Sequence, residues 1–232
     1  MTQNPIRKIL QKTGLDIHKY RPQASYFEYI KTLHIGTILD IGANTGQFAL
    51  EARKSLPEAQ IYSFEPILSC FKAMEGVFKG DKRFKAFHYA LGDKEEKMTI
   101  NVSSYTPSSS ILSMSEKHKE LFPHTKEHTK ENIEVKKLDD IARNLELKKE
   151  ILIKVDVQGF EMKVIHGGLE TFKEAKVIFI ESSFTNLYKG QASFDDIYEK
   201  LKSIGFSYKG SYQRKLNPKT GEIISEDSIF IK

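Results

Sequence analysis

The segment from residue 40 to residue 46, Asp-Ile-Gly-Ala-Asn-Thr-Gly, combines residue types that can bind a nucleoside. Gly42 and Gly46 carry no Cβ, so the backbone there can approach a ligand closely. A dinucleotide-binding loop would need a third glycine where Asn44 stands, and a P-loop would need Gly-Lys-Ser/Thr, which does not follow. The loop therefore suits a nucleoside without a polyphosphate, with the Asp40 carboxylate available to a cationic amino group.

A second acidic side chain, Glu65, ends the next predicted strand and precedes Pro66. It follows Asp40 at close to the offset of roughly 20 residues at which an acidic side chain meets ribose hydroxyls. A carboxylate can accept hydrogen bonds from both hydroxyls of a ribose diol. The two carboxylates and the two loop glycines together favour S-adenosylmethionine as the ligand, with Asn44 and Pro66 beside it.

A third element, Ala90-Leu91-Gly92-Asp93, follows the third predicted strand. We expect the backbone of Ala90 and Leu91, and the carboxylate of Asp93, to lie near the adenine. A surface turn without a ligand is the open alternative.

Two carboxylates are candidates for catalysis. Asp156 ends an apolar strand and Glu181 ends the next one, and the carboxyl ends of parallel strands meet at one edge of a sheet. A hydroxyl is a poor nucleophile for a sulfonium methyl group, so a base or a metal ion would help. We predict that Asp156 lies beside the cofactor and its transferable methyl group and orients or deprotonates the acceptor next to Glu181, with His166 and His88 as weaker candidate bases.

Each catalytic hypothesis has a structural alternative. Asp156 could cap the helix that starts near Gly159, because aspartate is favoured at helix N-caps. His166 could be a cation near the end of a helix, which is the favoured interpretation for that residue. The Asp156 and Glu181 pair could also hold Mg²⁺, although the sequence does not assign a metal ion.

The elements that must position these residues alternate from Gly36 onward between short β-rich runs and amphipathic helical runs. This pattern predicts an α/β domain with a doubly wound parallel sheet over residues 36–232, after an N-terminal helical segment over residues 1–35. Ser193 and Asp196 predict a capped helix that ends at Gly205. Two β-rich runs after Gly205 predict a C-terminal antiparallel hairpin.

Residues 103–132 are poor in apolar side chains. A polar insertion of this length inside a compact domain is usually functional or disordered. We expect a lid over the acceptor, with a solvent-exposed loop as the alternative.

Composition narrows the class of protein. The 232 residues include 36 basic and 31 acidic side chains, for a net charge of +5, and both signs are interspersed. This distribution gives no strong nucleic-acid signature. The single cysteine, together with the lack of a leader pattern or a membrane-length apolar run, predicts a cytoplasmic protein. The sequence does not predict an oligomeric state.

The chain resembles the FkbM-type S-adenosylmethionine-dependent methyltransferases. The resemblance rests on five motifs: 39–46, Phe64-Glu65-Pro66, 90–93, the serines 108–110, and Lys-x-Asp-x-x-Gly-x-Glu at 154–161 with the following 164–168. The family commonly has Glu before the glycine of the last motif, whereas this chain has Gln158. The resemblance implies a Rossmann-like, mostly parallel seven-stranded fold and O-methylation of a sugar, glycolipid or other small metabolite.

Two other classes of function remain open at this stage. An RNA or protein methyltransferase on the same fold would need a basic acceptor face or an Asn/Asp-Pro-Pro-Tyr site, and neither is present in the sequence. A non-catalytic module could retain the nucleoside pocket without turnover.

Overall fold

The computed structural model describes residues 26–103, 106–122, 128–217 and 219–232. The predicted N-terminal helical segment therefore lies outside the described residues up to position 25. The helices are α1 (Tyr26–Lys31), α2 (Gln47–Ser55), α3 (Leu68–Val77), α4 (Glu116–Leu121), α5 (Leu138–Ala142), α6 (Glu161–Gly167), α7 (Leu169–Glu174) and α8 (Phe194–Ser203). The strands are β1 (Thr37–Ile41), β2 (Gln60–Phe64), β3 (Phe84–Phe87), β4 (Ala90–Leu91), β5 (Glu96–Ser103), β6 (His128–Lys136), β7 (Ile151–Val155), β8 (Val177–Ser183), β9 (Ser207–Leu216) and β10 (Ile223–Ile231).

The main sheet has seven strands among the described residues, in the order β3-β2-β1-β7-β8-β10-β9. Neighbours from β3 to β8 pair in parallel, while β10 runs antiparallel to both β8 and β9. The predicted doubly wound, mostly parallel sheet with a C-terminal hairpin is confirmed. The sequence order reverses at β1, so the carboxyl ends of β1, β2, β7 and β8 form the crevice in which such sheets bind ligands.

Apolar side chains cover both faces of this sheet. On one face, Ile153 and Ile178 pack with α6, α7 and α8 side chains such as Val164. On the other face, Leu152 and Val177 pack with side chains of α1, α2 and α3. Successive strand residues point to opposite faces, so strands buried on both sides are apolar throughout, as the sequence shows for β7 and β8.

A second sheet has the order β4-β6-β5. The chain leaves the main sheet after Phe87, and β4 pairs in parallel with β6. Strand β5 pairs antiparallel with β6. Strand β6 begins at His128, opposite Ser103 at the end of β5, so residues 128–132 of the predicted lid are part of this sheet. Residues 128–132 are mostly polar, so their composition alone does not predict a strand.

The predicted capped helix is confirmed as α8. The Ser193 side chain accepts from the backbone N–H of Asp196, and the Asp196 side chain accepts from the backbone of Ser193, which forms a capping box. Gly205 follows with φ of 94°, a conformation that favours glycine. Among the described helices, none has the length and apolar character needed to cross a membrane.

Glu161, the first residue of α6, holds the turn that follows β7. Its Oε1 accepts from the backbone N–H of Val157 at 3.3 Å and of Gly159 at 3.0 Å. Its Oε2 is buried without a hydrogen-bond partner among the described residues. Burial, assisted by the negative charge of Glu181, raises the pKa of Glu161 to about 8. The carboxyl group is therefore protonated at neutral pH.

This buried acid predicts a pH dependence of stability. A carboxyl pKa that is higher in the folded than in the unfolded chain stabilises the fold below the unfolded value, and that stability is lost as the pH rises through about 8. Glu161→Gln keeps the shape and removes the ionisation. From pH 6 to pH 9, we expect the free energy of unfolding of the wild type to fall by at least about 1 kcal/mol more than that of Glu161→Gln.

Urea denaturation at both pH values measures this difference. The exposed Glu170→Gln is the matched control and should follow the wild type, because the Glu170 side chain is 73% exposed. If the free energy of unfolding changed equally with pH in Glu161→Gln and in the wild type, the raised pKa of Glu161 would be contradicted.

Candidate functional site

A cavity of about 320 Å³ opens at the carboxyl ends of β1, β2, β7 and β8. This volume is at the lower end of the range of small-molecule sites, roughly 300 to 1,000 Å³. The loop after β1, the turn after β7 and the hairpin β9–β10 contribute to its lining, together with residues between 100 and 111. The cavity therefore lies where the sequence predicted a ligand.

The glycines of the loop after β1 are required by packing within the protein. Gly42 and Gly46 adopt φ of 75° and 87°. A Cβ on Gly42 would lie 1.9 Å from the carbonyl oxygen of Asp156, and a Cβ on Gly46 would lie 3.0 Å from Met74 and Phe78. Gly42 lines the cavity and Gly46 does not. The sequence correctly placed a tight turn here, but the close approach at Gly42 is to the end of β7.

Glu65 lies just after β2 and lines the cavity beside Pro66. Its Oε2 accepts from the backbone N–H of Asn44 at 2.7 Å, and its Oε1 accepts from that of Ile67 at 2.8 Å. Each carboxylate oxygen can accept a second hydrogen bond, so both oxygens retain capacity for ligand hydroxyls. Burial raises the pKa of Glu65 to about 7. Asn44, which also lines the cavity, adopts φ of 50°.

Asp40 does not line the cavity, which corrects the expectation that its carboxylate is available to a ligand amino group. The residue is fully buried. Its Oδ2 accepts from the Ser63 hydroxyl at 3.3 Å, and its Oδ1 lies 3.5 Å from the Lys154 ammonium. Asp40 precedes the end of β1 by one residue, and the lysine from the neighbouring strand covers it.

Lys154 is a cavity residue to which the sequence analysis gave no role of its own. Its Nζ donates to the carbonyl oxygen of Gly42 at 2.8 Å and lies 3.8 Å from Asp156. Burial lowers the pKa of Lys154, but the nearby carboxylates of Asp40 and Asp156 outweigh this effect and hold it above its ordinary value. The available signal was a single cation within the apolar strand Ile-Leu-Ile-Lys-Val, because buried cations require partners.

The structure brings Asp156 and Glu181 together through Gln158. The Gln158 amide nitrogen donates to Asp156 Oδ1 at 2.7 Å and to Glu181 Oε2. The amide oxygen of Gln158 accepts from the Tyr188 hydroxyl at 2.8 Å. An amide group thus lies where the sequence suggested Mg²⁺. Among the described residues, no group of three or more His, Cys, Asp or Glu side chains is arranged to hold a metal ion.

The two carboxylates differ in access to the cavity. The Asp156 side chain is 37% exposed, whereas that of Glu181 is 7% exposed. Glu181 Oε1 accepts from the Lys215 ammonium at 2.7 Å. Burial, with the negative charge of Asp156, raises the pKa of Glu181 to about 7. Helix α6 begins at Glu161 with Phe160 at its N-cap, so Asp156 does not cap this helix.

Asp227 on β10 is a further cavity carboxylate that the sequence analysis missed. It pairs with Glu181 in the antiparallel register of β8 and β10. Burial, with the charge of Asp156, raises the pKa of Asp227 to about 6. Only the strand register identifies this neighbour, because Asp227 is distant from Asp156 and Glu181 in sequence.

Of the 90–93 element, Leu91 alone lines the cavity. Ala90 is buried in the second sheet, and Asp93 pairs with Lys163 at 2.7 Å. His166 is exposed on α6 and outside the cavity lining, as is His88. The structure therefore does not bring Ala90, Asp93 or either histidine to the cavity.

The described part of the predicted lid covers one side of the cavity. Thr106, Pro107, Ser109 and Ile111 line it. The Ser110 hydroxyl donates to the carbonyl oxygen of Gln158. This segment is therefore attached to the turn that carries the carboxylates.

The profile of a family described as the methyltransferase FkbM domain matches residues 40–208. The 2-O-methyltransferase NoeI of Sinorhizobium fredii is 30% identical over 174 residues, which cover 72% of this chain and 71% of NoeI. Methyltransferase 1 of Beauveria bassiana is 28% identical over 182 residues, which cover 73% of this chain and 72% of that protein.

A crystal structure of a methyltransferase FkbM from Methylobacillus flagellatus superposes with a TM-score of 0.55 at 13% identity. The match covers 90% of this chain and 47% of that one, so the chain spans about half the length of that protein. At this identity the likeness concerns the fold alone. The extent of the family match decides the assignment: the chain belongs to the FkbM methyltransferase family, and residues 40–208 are an S-adenosylmethionine-dependent methyltransferase domain.

Proposed function

We propose that the protein is an O-methyltransferase that acts on a hydroxyl of a sugar, a glycolipid or another small metabolite. The observation that carries this proposal is the position of the Asp156 carboxylate. Asp156 lines the same cavity as Glu65, and its side chain is 37% exposed. The Lys154 ammonium lies 3.8 Å from its carboxylate, and the Gln158 amide donates a hydrogen bond to it. The name of NoeI, a 2-O-methyltransferase, supports oxygen as the methylated atom.

The residues at one end of the cavity fit S-adenosylmethionine. Glu65 offers carboxylate oxygens to ribose hydroxyls, and Ile67, Leu91 and Phe160 offer an apolar surface to the adenine. Lys154 is the one cation among the described lining residues, and it donates to Gly42. This end therefore provides acceptors and apolar contacts, and no cationic group for a polyphosphate.

When bound, S-adenosylmethionine supplies a sulfonium methyl group, which the acceptor oxygen takes as S-adenosylhomocysteine and a proton are released. Asp156 accepts that proton or orients the hydroxyl, because its carboxylate is the more accessible of the neighbouring pair. Glu181 is already engaged by Lys215 and Gln158, so it positions Asp156 through the shared amide. Alignment of the two reactants provides the rest of the rate enhancement.

The residues between 106 and 111 support closure over the acceptor. Thr106, Pro107, Ser109 and Ile111 line the cavity, and the Ser110 hydroxyl between them donates to the Gln158 carbonyl. Residues 128–132 of the predicted lid belong to β6, so we propose that residues 106–111 act as the lid that excludes water, as loops of this kind do. The domain boundary at residue 36 is likewise part of the proposal, since the main sheet begins with β1.

The role of Asp156 predicts a separation of turnover from cofactor binding. Asp156→Asn keeps the size of the side chain and removes the base, so turnover should fall by about 10² to 10⁴. The dissociation constant of S-adenosylmethionine should stay within about twofold, because the proposed cofactor contacts lie elsewhere. Transfer of the methyl group from S-adenosylmethionine to a panel of neutral glycosides measures turnover, and calorimetry measures cofactor affinity.

Asp140→Asn is the matched control, because Asp140 lies on α5 outside the cavity lining. It should leave both measurements unchanged. Loss of cofactor binding together with turnover in Asp156→Asn would indicate a structural role and contradict the proposal.

The role of Glu65 predicts a pH-dependent cofactor affinity. The pKa of Glu65 lies at about 7, so the carboxylate that accepts from the ribose forms as the pH rises from 6 to 8. The affinity of the wild type for S-adenosylmethionine should rise over this interval. Glu65→Gln should bind about tenfold or more weakly at pH 8, since hydrogen bonds to a charged acceptor are the stronger ones. The affinity of Glu65→Gln should rise less between pH 6 and pH 8 than that of the wild type, because Glu181 and Asp227 still titrate in this cavity.

Calorimetric titration at pH 6, 7 and 8 measures both effects. Glu58→Gln serves as the control, because the Glu58 side chain is 79% exposed. A Glu65→Gln protein with wild-type affinity at pH 8 would show that the ribose is bound elsewhere.

A further inference from the structure

The hairpin β9–β10 contributes a wall of the cavity that lies outside the family match. That match ends at residue 208, near the start of β9. Tyr212, Gln213 and Asp227 line the cavity nevertheless. The family match therefore assigns no role to these hairpin residues.

A β-bulge makes this wall possible. Arg214 pairs with Glu226 and Ser211 pairs with Ser228, so two residues of β9, Tyr212 and Gln213, oppose the single Asp227 of β10. In a regular strand, consecutive side chains point to opposite faces. An extra residue re-aims a side chain, and here both Tyr212 and Gln213 reach the same cavity.

The ring of Tyr212 is fixed in place. It stacks on Phe179 with 5.9 Å between ring centroids and an interplanar angle of 28°. Its hydroxyl donates to Glu51 at 2.7 Å. Phe48, Phe179 and Glu51 also line the cavity. An aromatic surface beside carboxylate and amide acceptors suits a ligand with an apolar face and hydroxyls at its edge.

The charges of the cavity lining disfavour an anionic acceptor. The acidic residues of this lining are Glu51, Glu65, Asp156, Glu181 and Asp227. Lys215 pairs with Glu181, and Lys154 is engaged by Gly42 and the carboxylates beside it. The pKa of Asp227, raised to about 6, still leaves it ionised at neutral pH. A phosphate or carboxylate on the acceptor would meet these carboxylates without a free cation in the described lining.

We propose that Tyr212, Gln213 and Asp227 form the acceptor-selecting wall, which accepts an uncharged polyhydroxylated ring such as a neutral pyranoside and rejects its phosphorylated form. The inference rests on the proposed O-methyltransferase function. It adds the charge class of the acceptor and the residues that select it. Tyr212 supports the ring, the Gln213 amide accepts or donates hydrogen bonds at its hydroxyl edge, and the Asp227 carboxylate accepts them.

The experiment uses the full chain, labelled S-adenosylmethionine, and a panel of methyl hexopyranosides with the matching 6-phosphates. Incorporation of the labelled methyl group gives kcat/KM for each probe. We expect the neutral glycosides to be preferred over the 6-phosphates by at least about tenfold. Tyr212→Ala should lower kcat/KM for the neutral probes by at least about fivefold, mainly through KM. Asp227→Asn should reduce the preference for neutral probes by at least about threefold.

Two controls separate selection from folding. Tyr212→Phe keeps the ring and should retain most of the activity if stacking supports the acceptor. Lys219→Ala changes an exposed residue of the turn between β9 and β10, outside the cavity lining, and should match the wild type. Affinity for S-adenosylhomocysteine, measured by calorimetry, should be unchanged in all four variants.

The outcomes distinguish a failure of the acceptor-selecting wall from a failure of the proposed O-methyltransferase function. Turnover of neutral glycosides with wild-type kinetics in Tyr212→Ala and Asp227→Asn would overturn the wall and leave the proposed function standing. A preference for the 6-phosphates would overturn the charge class. Turnover with none of the probes, despite tight cofactor binding, would overturn the pyranoside acceptor and the wall, while O-methylation of a different small metabolite would still stand.

Discussion

The ammonium group of Lys154, buried where β1 and β7 run side by side, organises the site. It lies 2.8 Å from the Gly42 carbonyl, 3.5 Å from Asp40 and 3.8 Å from Asp156. A buried cation is stable only with partners of this kind, and each partner is then confined in turn. The hydrogen bond to Gly42 holds the loop after β1, and the lysine side chain covers Asp40. Of the two aspartates beside Lys154, only Asp156 lines the cavity.

Gln158 extends this arrangement to β8. Its single amide group bonds to Asp156, Glu181 and Tyr188, so it separates two carboxylates that would otherwise repel. Its backbone adopts φ of 53°, a conformation that non-glycine residues adopt rarely. Ser110 and Glu161 bond to the carbonyl and the N–H of the peptide group that follows Gln158. A Glu in place of Gln158 would bring a third carboxylate beside Asp156 and Glu181, whereas the neutral amide donates to both.

Much of the fold and part of the site could be predicted from sequence. The apolar runs of β7 and β8 end in Asp156 and Glu181, and parallel topology places strand ends together, so their proximity followed from the pattern. The position of Glu65 in the cavity followed in the same way. Asp40 could not be placed correctly, because the end of a strand specifies an edge of the sheet but not which neighbouring side chain covers it. Asp227 and the bulge at Tyr212 depend on an antiparallel register that no local pattern encodes.

We propose that one continuous cavity holds the methyl donor at Glu65 and presents its methyl group to Asp156. A crystal structure of the protein with S-adenosylhomocysteine would show both contacts. We expect both ribose hydroxyls within about 3 Å of the Glu65 carboxylate, and the sulfur directed toward Asp156. A nucleoside bound outside this cavity, or a ribose that does not contact Glu65, would contradict it.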